Sequence, residues 1–389
     1  MATPITILRV LTAACILGWA AGCAQAEVLQ PQSDSEVVET LPGLLGSRAD
    51  ERRLRRQWAA NPSDPVLAAA LARRYLDQAR GLGEPRFAGR ALAALQAWPD
   101  MDKAPDDVVL MFATVQQFLH DFDGSAAQLE RLVARQPGHA QAWLTLATIR
   151  RVQGRYAESD KACRALDGIA TAALYAKACM AENQGLRGEF AATRTSIREL
   201  LAVPQVSAAT QVWLLTTLAE TEARAGRNGD AEKAYRAALR LQADEYTSLS
   251  FADFLTEAGR HADALAVLKP LARTDAVVLR LAMAGTRLKA PGAERDAQEM
   301  RSRMSQANLR PDAQMLHARE QAMFALVVDQ KPQRALELAR TNVALQREPI
   351  DLLLLAQAER AAVAPPGTRD AARLRDEMGL KDVRLDALL

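Results

Sequence analysis

The chain has 389 residues, is 49% hydrophobic but only 5% aromatic, and sets 49 Lys and Arg against 47 Asp and Glu for a formal net charge of +2. That near balance excludes recruitment of nucleic acid by a bulk electrostatic field. Alanine, the best helix former, is the commonest residue, so an all-α chain is the expectation.

Residues 1–26 read as an export signal, with Arg9 the only charge before Glu27, an apolar stretch from Val10 to Ala21, and small residues after it. Two ends compete. Ala24-Gln25-Ala26 fits the small-x-small rule of an ordinary signal peptidase, whereas Ala20-Ala21-Gly22-Cys23 resembles a lipoprotein signal ending at Gly22, which would leave Cys23 to carry lipid. Either end implies the periplasm, soluble or tethered to the outer membrane. Residues 27–50, with Pro31 and Leu41-Pro42-Gly43, have no helical period and suit a flexible lead-in to a structured region over 51–389. The run Arg52-Arg53-Leu54-Arg55-Arg56 then suits the solvated face of a first helix or a contact with anionic headgroups.

Asp64-Pro65 is a cap and first helical residue, opening a helix to about Arg80, with a partner over 84–98. Pro137-Gly138 precedes a segment containing Trp143, Leu146, Ala147, Gly154, Tyr156 and Leu166. Stepping along the sequence recovers the same residue types from starts at Asp106, Ala140, Leu174, Val212 and Glu245, which lie 34, 34, 38 and 33 residues apart. The step of 38 implies four inserted residues near Ala208. The eighth column is Ala113, Ala147, Ala181, Ala219 and Ala252, and the twentieth is Ser125, Ser159, Thr193, Ala231 and Ala264. All are small, as two antiparallel helices that cross closely at those positions require. The fifteenth column, His120, Gly154, Gly188, Gly226 and Gly259, ends the first helix where a left-handed residue is wanted, and only His120 departs from glycine. Downstream, helices are expected near 276–290, 293–308, 312–328, 332–346, 350–363 and 368–379, separated by prolines.

This pattern resembles the tetratricopeptide repeat (TPR) superfamily, of an exported bacterial type, clearest over 106–278 and degenerate toward both ends. The resemblance implies an all-α, right-handed superhelical solenoid of antiparallel helix hairpins, about nine in number, whose terminal repeats act as caps.

No phosphate-cradling glycine loop, His-Glu-x-x-His, Gly-x-Ser-x-Gly or Cys-x-x-Cys occurs in the sequence, so no catalytic residue, cofactor or metal is expected. The four histidines are scattered. Cys163 and Cys179 each lie eight residues from Thr171 in a connecting turn, which sets them face to face across antiparallel helices. An oxidising compartment favours a disulfide there, while an axis separation of about 8–10 Å argues for two buried thiols.

In the TPR family, partners dock on the face lined by first-helix positions two, five, nine, twelve and thirteen. Here the second column carries Tyr175, Trp213 and Tyr246, and the ninth carries Glu182, Glu220 and Asp253. An aromatic ridge beside an acidic ridge is therefore expected over 174–257, suited to apolar and basic groups of a protein partner. The competing reading packs the aromatics on the preceding helix, with the insertion near Ala208 moving Trp213 out of line. The lysine and asparagine with which some family members clamp a terminal carboxylate are absent: the fifth column is Leu110, Leu144, Ala178, Thr216 and Leu249. The expected partner is thus an internal segment or a folded surface. The functional expectation is a non-enzymatic scaffold in the bacterial envelope. A regulator or delivery factor for an envelope enzyme or maturation complex, and an enzyme or carbohydrate-binding solenoid, are the alternatives.

Overall fold

The computed structural model describes residues 48–82, 86–309 and 313–389; the expected export signal, Cys23 and all but the last residues of the expected lead-in lie outside them. The described residues belong to one unit, which is helical, and no strand occurs among them.

Helix α1 (Arg48–Ala60) begins just before the expected boundary at 51 and packs on α2 (Pro65–Leu82), which pairs with α3 (Arg86–Ala94). Helix α3 is shorter than the expected 84–98 because the backbone turns at Leu95–Trp98 ahead of Pro99. The repeats follow as hairpins: α4 (Asp106–Phe118) with α5 (Phe122–Arg135), α6 (Ala140–Val152) with α7 (Tyr156–Asp167), and α8 (Ala173–Leu186) with α9 (Phe190–Leu201). Next come α10 (Ala208–Arg224) with α11 (Asn228–Leu241), and α12 (Glu245–Glu257) with α13 (His261–Leu268). The four extra residues near Ala208 add a turn to the start of α10, capped by Ser207, and leave the register of Trp213 intact. Asp121, Asp244 and Thr274 cap other helix starts in the same way.

Small columns meet as the packing requires. The eighth-column alanines and the twentieth-column residues are all 0–1% exposed. The twentieth-column hydroxyls donate across the crossing to the eighth-column carbonyls: Ser125 to Ala113 at 2.6 Å, Ser159 to Ala147 at 2.8 Å, Thr193 to Ala181 at 2.9 Å. A buried hydroxyl is thereby satisfied at the point of closest approach. Where both columns are alanine, at Ala219 with Ala231 and Ala252 with Ala264, no hydroxyl needs a partner. Ala147→Leu forces these helices apart and should cost about 2–3 kcal/mol, read as a lower urea midpoint at unchanged slope. An unchanged midpoint would place this crossing elsewhere.

The later hairpins are α14 (Asp275–Leu288) with α15 (Ala293–Ala307), α17 (Ala318–Val327) with α18 (Pro332–Leu345), and α19 (Pro349–Ala361) with α20 (Asp370–Met378). The helix expected over 312–328 is broken at His317 into a short α16 (Ala313–Leu316) and α17. A last turn, α21 (Val383–Asp386), had no sequence signal.

The C-terminal elements do more than cap an end. They return to the central repeats, where Arg347 N–H donates to Val152 O at 2.6 Å and Lys381 N–H to Leu186 O at 2.9 Å. Tyr156 and Leu186 share one apolar cluster with Leu353, Met378, Leu380 and Leu385. The fifteenth-column glycines make this approach close. A Cβ on Gly154 would stand 3.0 Å from Met378, and one on Gly188 would stand 2.8 Å from Lys381. These glycines also have φ of +74° and +90°, so a side chain there would meet backbone strain as well as a close neighbour. His120, the departure from that column, holds the same left-handed turn at φ +61°.

Candidate functional site

Positions two and nine of a first helix lie seven residues, or two turns, apart and share a face; stacking first helices side by side turns each column into a ridge. Tyr175 and Glu182 on α8, Trp213 and Glu220 on α10, and Tyr246 and Asp253 on α12 all line one cavity of about 840 Å³. The rings of Tyr175 and Trp213 stack with centroids 6.2 Å apart, so the aromatic ridge is continuous across the insertion. Tyr175 is 38% exposed and Tyr246 61%, and both rings border the cavity. Tyr246 Oη donates to Glu220 Oε1 at 2.9 Å, and Ser250 Oγ donates to the same oxygen at 3.0 Å.

The acidic ridge needs correction. Arg151 of α6 pairs with Glu182 at 3.0 Å, and Arg280 of α14 forks onto Asp253 at 2.8 and 2.6 Å. Each of these acids is neutralised by an arginine from a neighbouring first helix, and the Arg280 fork matches the planar geometry of a carboxylate. Glu220 has no such partner; burial holds its carboxyl above the usual range, with Arg224 opposing. The charge of the neighbouring Glu220 holds the Tyr246 phenol well above its usual value. The cavity is therefore mixed in charge, not acidic.

Its far wall is the returning C-terminal part, including Arg319, Glu348, Leu353 and Arg384. Arg319 forks onto Asp351 at 2.6 and 2.8 Å and reaches Glu348 at 2.6 Å. Arg384 closes the rim by donating to Glu257 at 2.6 Å. Burial pushes the Glu257 carboxyl up to about 6, against an ordinary 4.5, with Arg384 opposing. The folded protein then holds that proton more tightly than the unfolded one, so this group's contribution to stability falls as pH rises from 4.5 to about 6. Glu257→Gln should flatten that part of the stability profile, measured as thermal midpoint against pH.

Several of these groups were not among the residues expected from the sequence. Arg151 and Arg224 stand at the twelfth and thirteenth positions of their repeats, and Glu257 at a thirteenth, all on the face that partners use in the TPR family. The far wall left no column signal, because its contacts join residues far apart in sequence. Among the described residues no group of three or more His, Cys, Asp or Glu side chains converges as a metal site. Cys163 and Cys179 are joined, with Cα atoms 5.7 Å apart, on α7 and α8.

Repeated hairpins with alanine at the crossing, glycine at the turn and a lined inner face define a tetratricopeptide-like solenoid. Among solved structures the protein is similar to a tetratricopeptide repeat protein from Parabacteroides merdae, at 12% identity and a TM-score of 0.46, over 57% of this sequence and 83% of that one. It is similar also to human IFIT1 with PPP-AAAA, at 15% identity and a TM-score of 0.47, over 87% and 77%. The TPR domain of P58(IPK) aligns at 14% identity and a TM-score of 0.23, over 81% and 98%. No family model and no curated protein sequence matches.

Proposed function

We propose that the protein is a non-enzymatic scaffold that receives a segment of a partner protein in the cavity bordered by Tyr175, Trp213 and Tyr246. The observation that carries this reading is the exposure of Tyr175 and Tyr246 toward a cavity instead of the core: large side chains left uncovered in a concave site mark recognition more often than stability. Apolar side chains of the segment would cover the rings, and a Lys or Arg would answer Glu220. The export-type N-terminus supports a place in the bacterial envelope, with the protein either free in the periplasm or held by lipid on Cys23. Mass spectrometry of the mature N-terminus separates the two.

The test is photo-crosslinking in whole cells from a photoreactive side chain at position 246, with one at the exposed Arg198 of α9 as the control. A protein adduct is expected from 246 and not from 198. Adducts of equal yield from both positions, or none from 246, would sink the reading.

A further inference from the structure

Among the described residues, Tyr156 Oη, Arg224 Nε, Glu182 Oε2 and Glu320 Oε2 are buried without a hydrogen-bond partner, and all four residues line the same cavity. The first two are donors from side chains nine-tenths or more buried: Arg224 is 4% exposed and Tyr156 3%. The Arg224 guanidinium makes one bond among the described residues, from Nη2 to Thr221 Oγ1 at 3.2 Å, and no described carboxylate stands in ion-pair contact with it. Glu220, one turn earlier on α10, is its natural partner by spacing. Tyr246 and Ser250 instead hold Glu220 toward α12. The Arg224 Nε–H is thus a buried donor with its hydrogen bond unmade, and the same cavity holds an equally unanswered phenol.

We propose that Arg224 and Tyr156 form a carboxylate subsite: Nε–H of Arg224 and O–H of Tyr156 donate to a carboxylate presented by the ligand. The inference rests on the cavity being the site that receives a partner segment, and it names one group of that segment. A single unpaired arginine matches a single negative charge. A phosphate, with nearly two, would be repelled the more strongly by Glu220 and Glu320 on the same walls. The acids of this face do not bar a single carboxylate, because Glu182 and Asp253 are neutralised in place. An Asp or Glu side chain and the carboxy terminus of a polypeptide both offer the required group.

The experiment uses the full exported protein and three probes: N-acetylglycine for a polypeptide end, the α-amide of N-acetylaspartate for a side chain, and N-acetylglycinamide as the neutral twin. Thermal midpoint and the ¹⁵N-edited Nε–H resonance of Arg224 are followed. Carboxylate probes should raise the midpoint and move that resonance, and the neutral twin should do neither. Arg224→Met should weaken carboxylate binding about tenfold or more, and Tyr156→Phe by less, while Arg224→Met without probe keeps or raises the midpoint. The probe that binds tighter identifies the source. A sharp loss of midpoint in unliganded Arg224→Met, or equal responses to acid and amide, overturns the subsite. A protein adduct from position 246 without any carboxylate response also overturns the subsite and leaves the scaffold reading standing. A carboxylate response without an adduct supports the subsite and sinks the protein-segment reading.

Discussion

Asp351→Ala is expected to lower the free energy of unfolding by about 3–5 kcal/mol, the cost of stranding a buried charge. Asp351 is 0% exposed and accepts from Arg319 through two bonds, from Asn342 Nδ2 at 2.6 Å, and from Glu348 N–H at 2.8 Å. The last bond is half of a capping box that starts α19 at Pro349. One substitution thus removes a helix cap and leaves the Arg319 guanidinium with Glu348 alone. The double variant Arg319→Met, Asp351→Leu takes both charges away and should recover most of the loss, because a buried pair often does no better than an apolar pair of similar volume. Urea unfolding of the three proteins checks this. A single-variant loss below about 1 kcal/mol would show that the pair is solvated and that the far wall of the cavity is open.

The parts of this fold that sequence could convey are those with a local period. Alanine at 113, 147, 181, 219 and 252 reports a helix crossing that recurs every repeat, and the structure places each of those residues at 0–1% exposure. Helix starts at Asp106, Ala140 and Glu245 were legible to the residue for the same reason. The return of the C-terminal elements was not. Lys381 meets Leu186 and Arg384 meets Glu257 across sequence separations that no repeat encodes. The break at His317 also lacked a signal, since no proline or glycine marks it.

The candidate site divides along the same line. Residues on the repeat columns, Tyr175 through Asp253, were readable as one face. Their electrostatic state was not, because it is set by Arg280 from the next hairpin and by a wall that only the folded protein supplies. Arg151 and Arg224 were within reach, at partner-facing columns of the repeat: the first neutralises Glu182, and the second is the arginine of the proposed carboxylate subsite.

The second large effect is expected at the bridge between Cys163 and Cys179. Joining residues 16 apart restricts the unfolded state, and replacing both by alanine should cost about 3 kcal/mol by loop-closure entropy. The separation of helix axes argues against the bond, but axes are the wrong measure. A Cα atom lies about 2.3 Å off its axis, so two that face each other across axes about 10 Å apart approach to about 5.4 Å. The observed Cα separation is 5.7 Å. Both side chains are at most 1% exposed, so the reduced protein keeps its thiols buried and a thiol count must be taken after unfolding. No gain in titratable thiol on adding reductant would refute the bridge. Its loss loosens the seam between α7 and α8, the helix that carries Tyr175 and Glu182, and touches none of the groups around Asp351. The costs of Cys163→Ala, Cys179→Ala and of Asp351→Ala should therefore add to within about 0.5 kcal/mol. A larger departure would mean that the two walls of the cavity are energetically coupled, so that redox state at one wall sets the stability of the other.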